Sequence, residues 1–260
     1  MQPTSLPITI PSATKMKKSS YKRPPIVEAV VGINFATPVG ADVLEKASEK
    51  FAKYYPQHHA VQNVTVALGM IDGKPTTEPQ YNELGHRRTN IDVTELLVLW
   101  SSEFTLSQLA PYPGWDAFLD RFARDWKIWK RIVRHRDITR VGVRFINRVD
   151  IPANDGKVEH EKYLTVYPKL PAQYRPVDGY AMQARIPLDG GCHLALNSAV
   201  VPSPIIGRNS FVLDLDVAKD HDLPQNDGSI LQLLNQIRSM KNEVFESFIT
   251  NRARKLFNNA

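Results

Sequence analysis

Two segments of the chain alternate apolar and polar residues in nearly the same way. The first runs from Ile26 to Ala36, and the second, about 110 residues later, places Val141, Val143 and Phe145 on one face. A period of two is typical of a strand that buries one face. The polar faces of the two predicted strands carry charge, at Glu28, Arg140, Arg144 and Arg148.

Helical spacing of apolar residues predicts three helices. The first follows Thr37-Pro38 and ends near Lys53, the second runs from Trp115 to about His135, and the third from Ser229 to Phe257. A shorter helical candidate lies near His160–Val166. Further alternating segments predict six more strands, at 64–70, 81–86, 91–100, 180–186, 192–201 and 211–217.

The order of these elements repeats along the chain. Val31-Gly32-x-x-Phe35 matches Val141-Gly142-x-x-Phe145, and Tyr55-Pro56 matches Tyr167-Pro168 at a slightly larger offset. A duplicated unit with small loop insertions produces such a slowly growing offset. The predicted fold is therefore α+β, with two pseudo-repeated β-α-β-β-β-α halves forming a broad antiparallel sheet and long helices on one face. Its outline is that of helix-grip and TATA-binding-type clamps. The alternative is two ferredoxin-like units in tandem.

The predicted halves share one compact body, and a tail precedes them. Residues 1–23 are rich in Pro, Ser, Thr and Lys, which predicts a disordered basic tail. The first half spans 24–136 and the second 137–260. In a fold of this kind, we expect the two opening strands to pair antiparallel at the centre of the sheet.

Composition favours a cytoplasmic protein with a proper core. Of the 260 residues 42% are hydrophobic, yet no apolar run approaches the roughly 18–20 residues that span a bilayer. No membrane association is predicted. The N-terminus lacks the apolar core of a signal peptide, and the single Cys192 excludes an internal disulfide framework.

Positive charge is concentrated in one window. The chain has a net charge of +6, whereas residues 121–148 hold ten basic and two acidic residues, a net charge of +8. Such a window favours a polyanionic partner, either nucleic acid or an acidic protein; the other interpretation is a solvated helix face with structural ion pairs. The candidate nucleic-acid-binding residues are Arg121, Arg124, Lys127, Arg131 and Arg134.

No nucleophile or cofactor signature is present. The sequence contains no G-x-S-x-G, H-E-x-x-H, P-loop or Rossmann fingerprint, so no catalytic residue and no cofactor is predicted. Asp214 and Asp216 share one face of a predicted strand, which makes them weak candidates for a divalent metal. Arginine neighbours on a polar sheet face are the other interpretation.

Glu28 is an isolated carboxylate in an otherwise apolar strand. We expect a structural ion pair between Glu28 and Arg144 or Arg148 that holds the two halves in register. If Glu28 instead lines a cleft beside Asp214 and Asp216, the interpretation of these carboxylates as a metal site is favoured.

Three blocks in order give the chain a resemblance to a known family. They are Pro24-Pro25-Ile26-Val27-Glu28-Ala29, Arg140-Val141-Gly142-Val143-Arg144-Phe145-Ile146-Asn147-Arg148 and Phe245-Glu246-Ser247-Phe248-Ile249-Thr250. The chain resembles sporadically distributed prokaryotic proteins of about 250 residues, a family without a settled activity. The resemblance therefore implies no catalytic residues. Its patchy distribution implies a setting among mobile or defence-associated genes.

Three functions fit these observations. The first is a non-enzymatic binding or regulatory protein that contacts nucleic acid or a protein partner through its basic surface. The second is a metal-dependent phosphodiester enzyme using Asp214 and Asp216. The third is a small-ligand pocket between sheet and helices, as in helix-grip proteins.

Overall fold

The computed structural model of the chain describes residues 21–71, 74–152, 159–174 and 177–258. Most of the predicted N-terminal tail, residues 1–20, lies outside this part of the chain. The described residues form four α-helices, α1 Ala41–Phe51, α2 Trp115–Val133, α3 Asp227–Phe248 and α4 Asn251–Asn258. They also form nine strands, β1 Ile26–Phe35, β2 Gln57–Ile71, β3 Lys74–Thr89, β4 Glu95–Trp100, β5 Glu103–Leu109, β6 Ile138–Pro152, β7 Ala181–Pro187, β8 Cys192–Val201 and β9 Arg208–Lys219.

All nine strands join one antiparallel sheet in the order β2-β3-β4-β5-β1-β6-β9-β8-β7. The two opening strands, β1 and β6, pair antiparallel near the centre, with Gly32 opposite Gly142. The predicted pairing of these strands is therefore confirmed. The α+β class and the broad antiparallel sheet are confirmed as well.

The core lies against one face of the sheet. Alternate residues of the central strands, such as Val31 and Val143, are fully buried there, and the buried apolar residues of all four helices belong to the same cluster. Trp126 and Trp129 of α2 stack on Phe35, with ring centroids 6.1 and 5.9 Å away. Helices therefore cover the apolar face, while the opposite face carries the charged residues of β1, β6 and β9.

The first half has one strand more than predicted. Four strands, β2 to β5, follow α1, because the chain turns at Ser101-Ser102 and returns as β5 beside β4. In the second half the predicted helix near His160–Val166 is a single 3₁₀ turn, His160–Lys162. The β-α-β-β-β-α order is thus wrong in detail for both halves.

The predicted C-terminal helix is two helices. It breaks at Ile249, where the backbone is extended with φ −117° and ψ 148°, and Ile249 forms a bridge with Leu164. The Thr250 amide then donates to the Tyr163 carbonyl at 2.9 Å. Tertiary pairing therefore interrupts a segment whose apolar spacing alone favours a continuous helix.

Strands β2 and β3 form a ribbon that continues beyond the rest of the sheet. β3 pairs with β2 along its length, but with β4 only from Gly85 to Thr89. Gly85 marks the point of departure, where an added Cβ would lie 2.2 Å from the Leu99 carbonyl oxygen. The absent side chain allows this close approach. No helix within the described ranges is long and apolar enough to cross a membrane.

Candidate functional site: the basic stripe of helix α2

Helix α2 and its C-cap residue expose three basic side chains. Lys127 and Arg131 lie four residues apart in one row on the helix surface, and Arg134 follows three residues later as the C-cap, where the backbone leaves the helix with φ 62° and ψ −160°. All three are exposed, and no acidic residue among those described forms an ion pair with them. We call these three residues the basic stripe. It spans about 10 Å at 1.5 Å per residue.

Two of the five candidate binding residues do not belong to this stripe. Arg121 is only 7% exposed, and its Nη2 donates to the Ser107 carbonyl at 2.7 Å and to Gln108 Oε1 at 3.2 Å. Arg124 is half-buried and donates from Nε to Asp125 Oδ1 at 2.8 Å. The prediction that both contribute to a surface is therefore wrong for Arg121 and weakened for Arg124.

These two arginines belong to a buried network between α2 and Tyr55, which lies just after α1. The Tyr55 hydroxyl donates to Asp125 Oδ2 and accepts from Arg121 Nη1 at 3.2 Å and Arg124 Nη2 at 3.1 Å. Asp125 is 0% exposed; Arg124 is its direct counter-charge, and Arg121 is connected to it through the Tyr55 hydroxyl. Burial, with the charge of Asp125, raises the pKa of Tyr55 and keeps its hydroxyl protonated. The network links α2 to the segment that follows α1, and the role of both arginines in it is structural.

The arginines of β6 are paired as well. Each donates to an aspartate on the polar face of the sheet, at N–O distances of 2.6 to 3.2 Å. The pair with Asp214 is bidentate, since Arg144 donates from Nε to Oδ1 at 2.7 Å and from Nη2 to Oδ2 at 2.6 Å. The pairs are Arg140–Asp216, Arg144–Asp214 and Arg148–Asp150.

Glu28 forms no ion pair with any of these arginines. The pKa of Arg144 is raised mainly by its hydrogen bond to Asp214, then by the charges of Asp214 and Asp216, and least by the charge of Glu28. β9 lies on the other side of β6 and supplies Asp214, while Asp150 of β6 itself takes Arg148. Glu28 lies opposite Ile146, next to a register shift between Ile26 and Glu28. The predicted ion pair with Arg144 or Arg148 is therefore wrong, because nearer acids hold both guanidinium groups.

Asp214 and Asp216 lie on one face of β9, as predicted, but each is the partner of an arginine. Asp214 Oδ2 also accepts from Asn197 Nδ2 at 3.1 Å. A divalent cation at Asp214 would face the positive charge of Arg144 at ion-pair distance. Among the described residues, no three His, Cys, Asp or Glu side chains come together as a metal site. The geometry thus favours the interpretation as a polar sheet face.

Arg140 lies flat on the sheet over the central glycine pair. A Cβ added to Gly142 would come within 2.6 Å of Arg140 Nη1, and one added to Gly32 within 3.0 Å of Glu103 Oε1. The absence of a side chain at residue 142 therefore makes room for the guanidinium group. The motif Val-Gly-x-x-Phe of β6 thus has a local structural reason.

A shallow pocket of about 390 Å³ opens beside the first half of α2. Two carboxylates and two guanidinium groups line it, so its charge is balanced, and both arginines are held by the network described above. Its lining residues are Glu95, Gln108, Pro113, Ala117, Asp120, Arg121 and Arg124. The lining residues come from β4 and β5 of the sheet and from α2, so the pocket lies between sheet and helix, where a helix-grip site is expected, but it is shallow; further along α2, Phe104 packs against Trp126 and Trp129.

Lys241 is a buried cation that the sequence interpretation missed. Only 4% exposed, it lies on α3 with its Nζ 3.5 Å from the centre of the Phe145 ring. Burial, reinforced by the charge of Arg238, lowers the pKa of Lys241 to about 7. Its position was visible in the sequence, because it follows Ile237 and precedes Phe245 by one turn each within an apolar stripe.

No protein-family model matches the sequence, and none of the curated proteins matches it.

Proposed function

We propose that the protein is a non-enzymatic binding module that contacts the phosphate backbone of nucleic acid through the basic stripe of α2. One observation carries the proposal. Lys127, Arg131 and Arg134 are exposed along α2 and its C-cap and are unpaired among the described residues. Phosphate contacts of this kind need cations on a surface and no base-reading side chains.

Ion pairing divides the basic window into two groups. Of its ten basic residues, six have partners within the protein, namely Arg121, Arg124, Lys130, Arg140, Arg144 and Arg148. Arg136 donates to the neighbouring His135 carbonyl at 2.9 Å. The three residues of the basic stripe remain, so the proposal rests on them and not on the window as a whole.

The stripe has the dimensions of a short run of phosphates. Its length of about 10 Å covers about three phosphates of one strand, which follow one another at about 3.4 Å along the helix axis. With three contacts, the slope of log K against log salt for duplex DNA is about −2.7. Affinity then falls about 40-fold between 50 and 200 mM salt.

The proposal is tested by fluorescence anisotropy with a labelled duplex of mixed sequence at both salt concentrations. The variant Arg131→Glu/Arg134→Glu is expected to bind at least about tenfold more weakly at 50 mM salt, with a slope near −0.9. A second duplex of different sequence is expected to behave in the same way, because phosphates carry no sequence information.

The matched control is Lys169→Glu/Lys255→Glu, which changes the net charge by the same amount at two exposed lysines away from α2. Its affinity is expected to stay within about twofold of the natural chain. Binding that is indifferent to salt, or that both double variants weaken equally, contradicts a role of the stripe. Absence of binding at 50 mM salt contradicts the function itself.

We also infer that residues 24–136 and 137–260 are related by duplication. The strand order supports this inference: outward from β1 come β5, β4, β3 and β2, and outward from β6 come β9, β8 and β7. A crystal structure tests the inference by superposition of the two halves. It is contradicted if the first set of elements does not superpose on the second, the sets being β1, β5, β4 and α2, and β6, β9, β8 and α3. The cytoplasmic location and the setting among mobile or defence-associated genes are part of the proposal, and the neighbouring genes test that setting.

A further inference from the structure

Two polar groups, the Lys241 ammonium and the Tyr112 hydroxyl, belong to residues that pack on the ring of Phe145, and a second cation, Arg238, lies one helical turn away on α3. Lys241 Nζ lies 3.5 Å from the ring centroid. The Tyr112 ring packs edge-on against the same ring at 5.5 Å, and its hydroxyl oxygen is buried without a hydrogen bond. Arg238, one turn before Lys241 on α3, lies over the Trp115 ring at 6.0 Å.

The nearby acids are engaged elsewhere. Glu246 accepts from the Tyr21 hydroxyl at 2.5 Å and from Arg254 Nε at 2.9 Å. Asp116 is exposed in the first turn of α2. No carboxylate oxygen of the described chain forms an ion pair with Lys241 or Arg238. After burial, the charge of Arg238 has the largest influence on the pKa of both Lys241 and Tyr112; it outweighs the opposing charge of Glu246 at Lys241 and of Asp116 at Tyr112.

This arrangement is unfavourable in itself. Like charges three residues apart on a helix destabilise it, and a buried donor without an acceptor costs about 1 to 3 kcal/mol. A single anion with several oxygen atoms accepts from all three groups at once and removes both costs. The basic stripe takes no part in this cluster, because the stripe is solvated and lies towards the other end of α2.

We propose that Lys241, Arg238 and Tyr112 form a binding site for a small oxyanion, either a phosphate or a carboxylate group. Lys241 Nζ and the Arg238 guanidinium donate to it and balance its charge, and the Tyr112 hydroxyl donates the third hydrogen bond. The Phe145 ring forms an apolar wall of the site. The site is independent of nucleic-acid binding, so either proposal can fail without the other.

Thermal unfolding of the full chain in increasing inorganic phosphate, or in increasing acetate, tests the site. Sodium chloride keeps the ionic strength constant, and the dependence of melting temperature on anion concentration gives the dissociation constant. We expect a value on the order of 1 mM for the preferred anion. Preference for phosphate identifies a phosphorylated ligand, and preference for acetate identifies a carboxylate ligand.

Lys241→Met is expected to weaken binding at least about tenfold, through the loss of one charge-assisted hydrogen bond. Tyr112→Phe keeps the ring and removes only the hydroxyl, so it tests the site even if Lys241→Met does not fold; about threefold weaker binding is expected. The matched control, Lys255→Met, removes an exposed lysine of α4 and is expected to leave binding unchanged.

Two results overturn the proposal. One is the absence of stabilisation by either anion beyond the chloride baseline. The other is equal stabilisation of the natural chain, Lys241→Met and Tyr112→Phe, which indicates a general salt effect on the protein.

Discussion

The arginines of β6 and the cations of α2 have equal weight in a charge count but opposite surroundings. Arg140, Arg144 and Arg148 each meet an aspartate on the polar face of the sheet. Lys127 and Arg131 project from α2 with no described acid beside them. The difference follows from architecture, because neighbouring strands place side chains about 5 Å apart, whereas the outer row of a surface helix faces water.

The comparison separates cations that hold the fold from cations that are free for a partner. A third group, Arg121 and Arg124, shares α2 with the free ones but is turned inward, to Tyr55 and Asp125 respectively. The side of the helix on which a cation lies therefore decides whether it is free for a partner; that it belongs to α2 does not. Three sets of substitutions test how much each group contributes to stability, in order from the buried network through the sheet to the exposed stripe.

The largest expected effect is on the buried network. Asp125→Ala removes a fully buried carboxylate and leaves the Arg124 guanidinium and the Tyr55 hydroxyl without their common partner. We expect a loss of about 3 to 5 kcal/mol in the free energy of unfolding, measured in urea. Asp120→Ala, an exposed aspartate of the same helix, is the control and is expected to cost less than about 0.5 kcal/mol. Similar losses in both variants would contradict the ranking.

An intermediate effect is expected on the sheet. Asp214→Ala breaks the bidentate pair with Arg144, but the side chain of Arg144 is 45% exposed and water takes over part of its solvation. A loss of about 2 kcal/mol is expected. A double-mutant cycle with Arg144→Ala measures the coupling, expected near 1 kcal/mol. Glu28→Ala, on the same face and without an arginine partner, is expected to cost about 0.5 kcal/mol or less; a larger loss would restore the sequence prediction.

The smallest effect is expected on the basic stripe. Arg131→Ala/Arg134→Ala removes two cations near the C-terminus of α2, where they interact only with the helix dipole. The two changes together are expected to cost less than about 1 kcal/mol in the same urea unfolding measurement. A loss comparable to that of Asp125→Ala would make the stripe structural and would remove the basis for nucleic-acid binding.

Strands with strict alternation were predictable from sequence, and register was not. β8 has the predicted bounds, Cys192–Val201, because its apolar and polar residues alternate without interruption. β5 was missed because its alternation is short: Thr105 separates Phe104 from Leu106, but two polar residues, Ser107 and Gln108, then precede Leu109. The partner of Arg144 depends on which strand lies on the far side of β6, and pattern alone does not determine that choice.

The candidate site was only partly predictable, because its contacts also depend on which distant segments lie side by side. A helical wheel separates Arg121 from Arg131 only when the buried side of α2 is known in detail. The Tyr55–Asp125 contact that turns Arg121 inward joins residues 70 positions apart. Lys241 gave a usable signal, a lysine within an apolar stripe. Its neighbours Tyr112 and Phe145 come from distant segments, so the cluster itself required the structure.

The central position of β1 has a consequence for the order of events during synthesis. One edge of β1 pairs with β5 and the other with β6, which begins about 110 residues after β1. At 5 to 20 residues per second, β1 emerges about 6 to 20 s before its second neighbour. During that interval the strand Ile26–Phe35 exposes an unpaired apolar edge, which is the kind of surface that aggregates. A truncated chain that ends before β6 is thus expected to collect in the insoluble fraction. A chain whose translation continues through Ile138 and the rest of the sequence is expected to stay soluble.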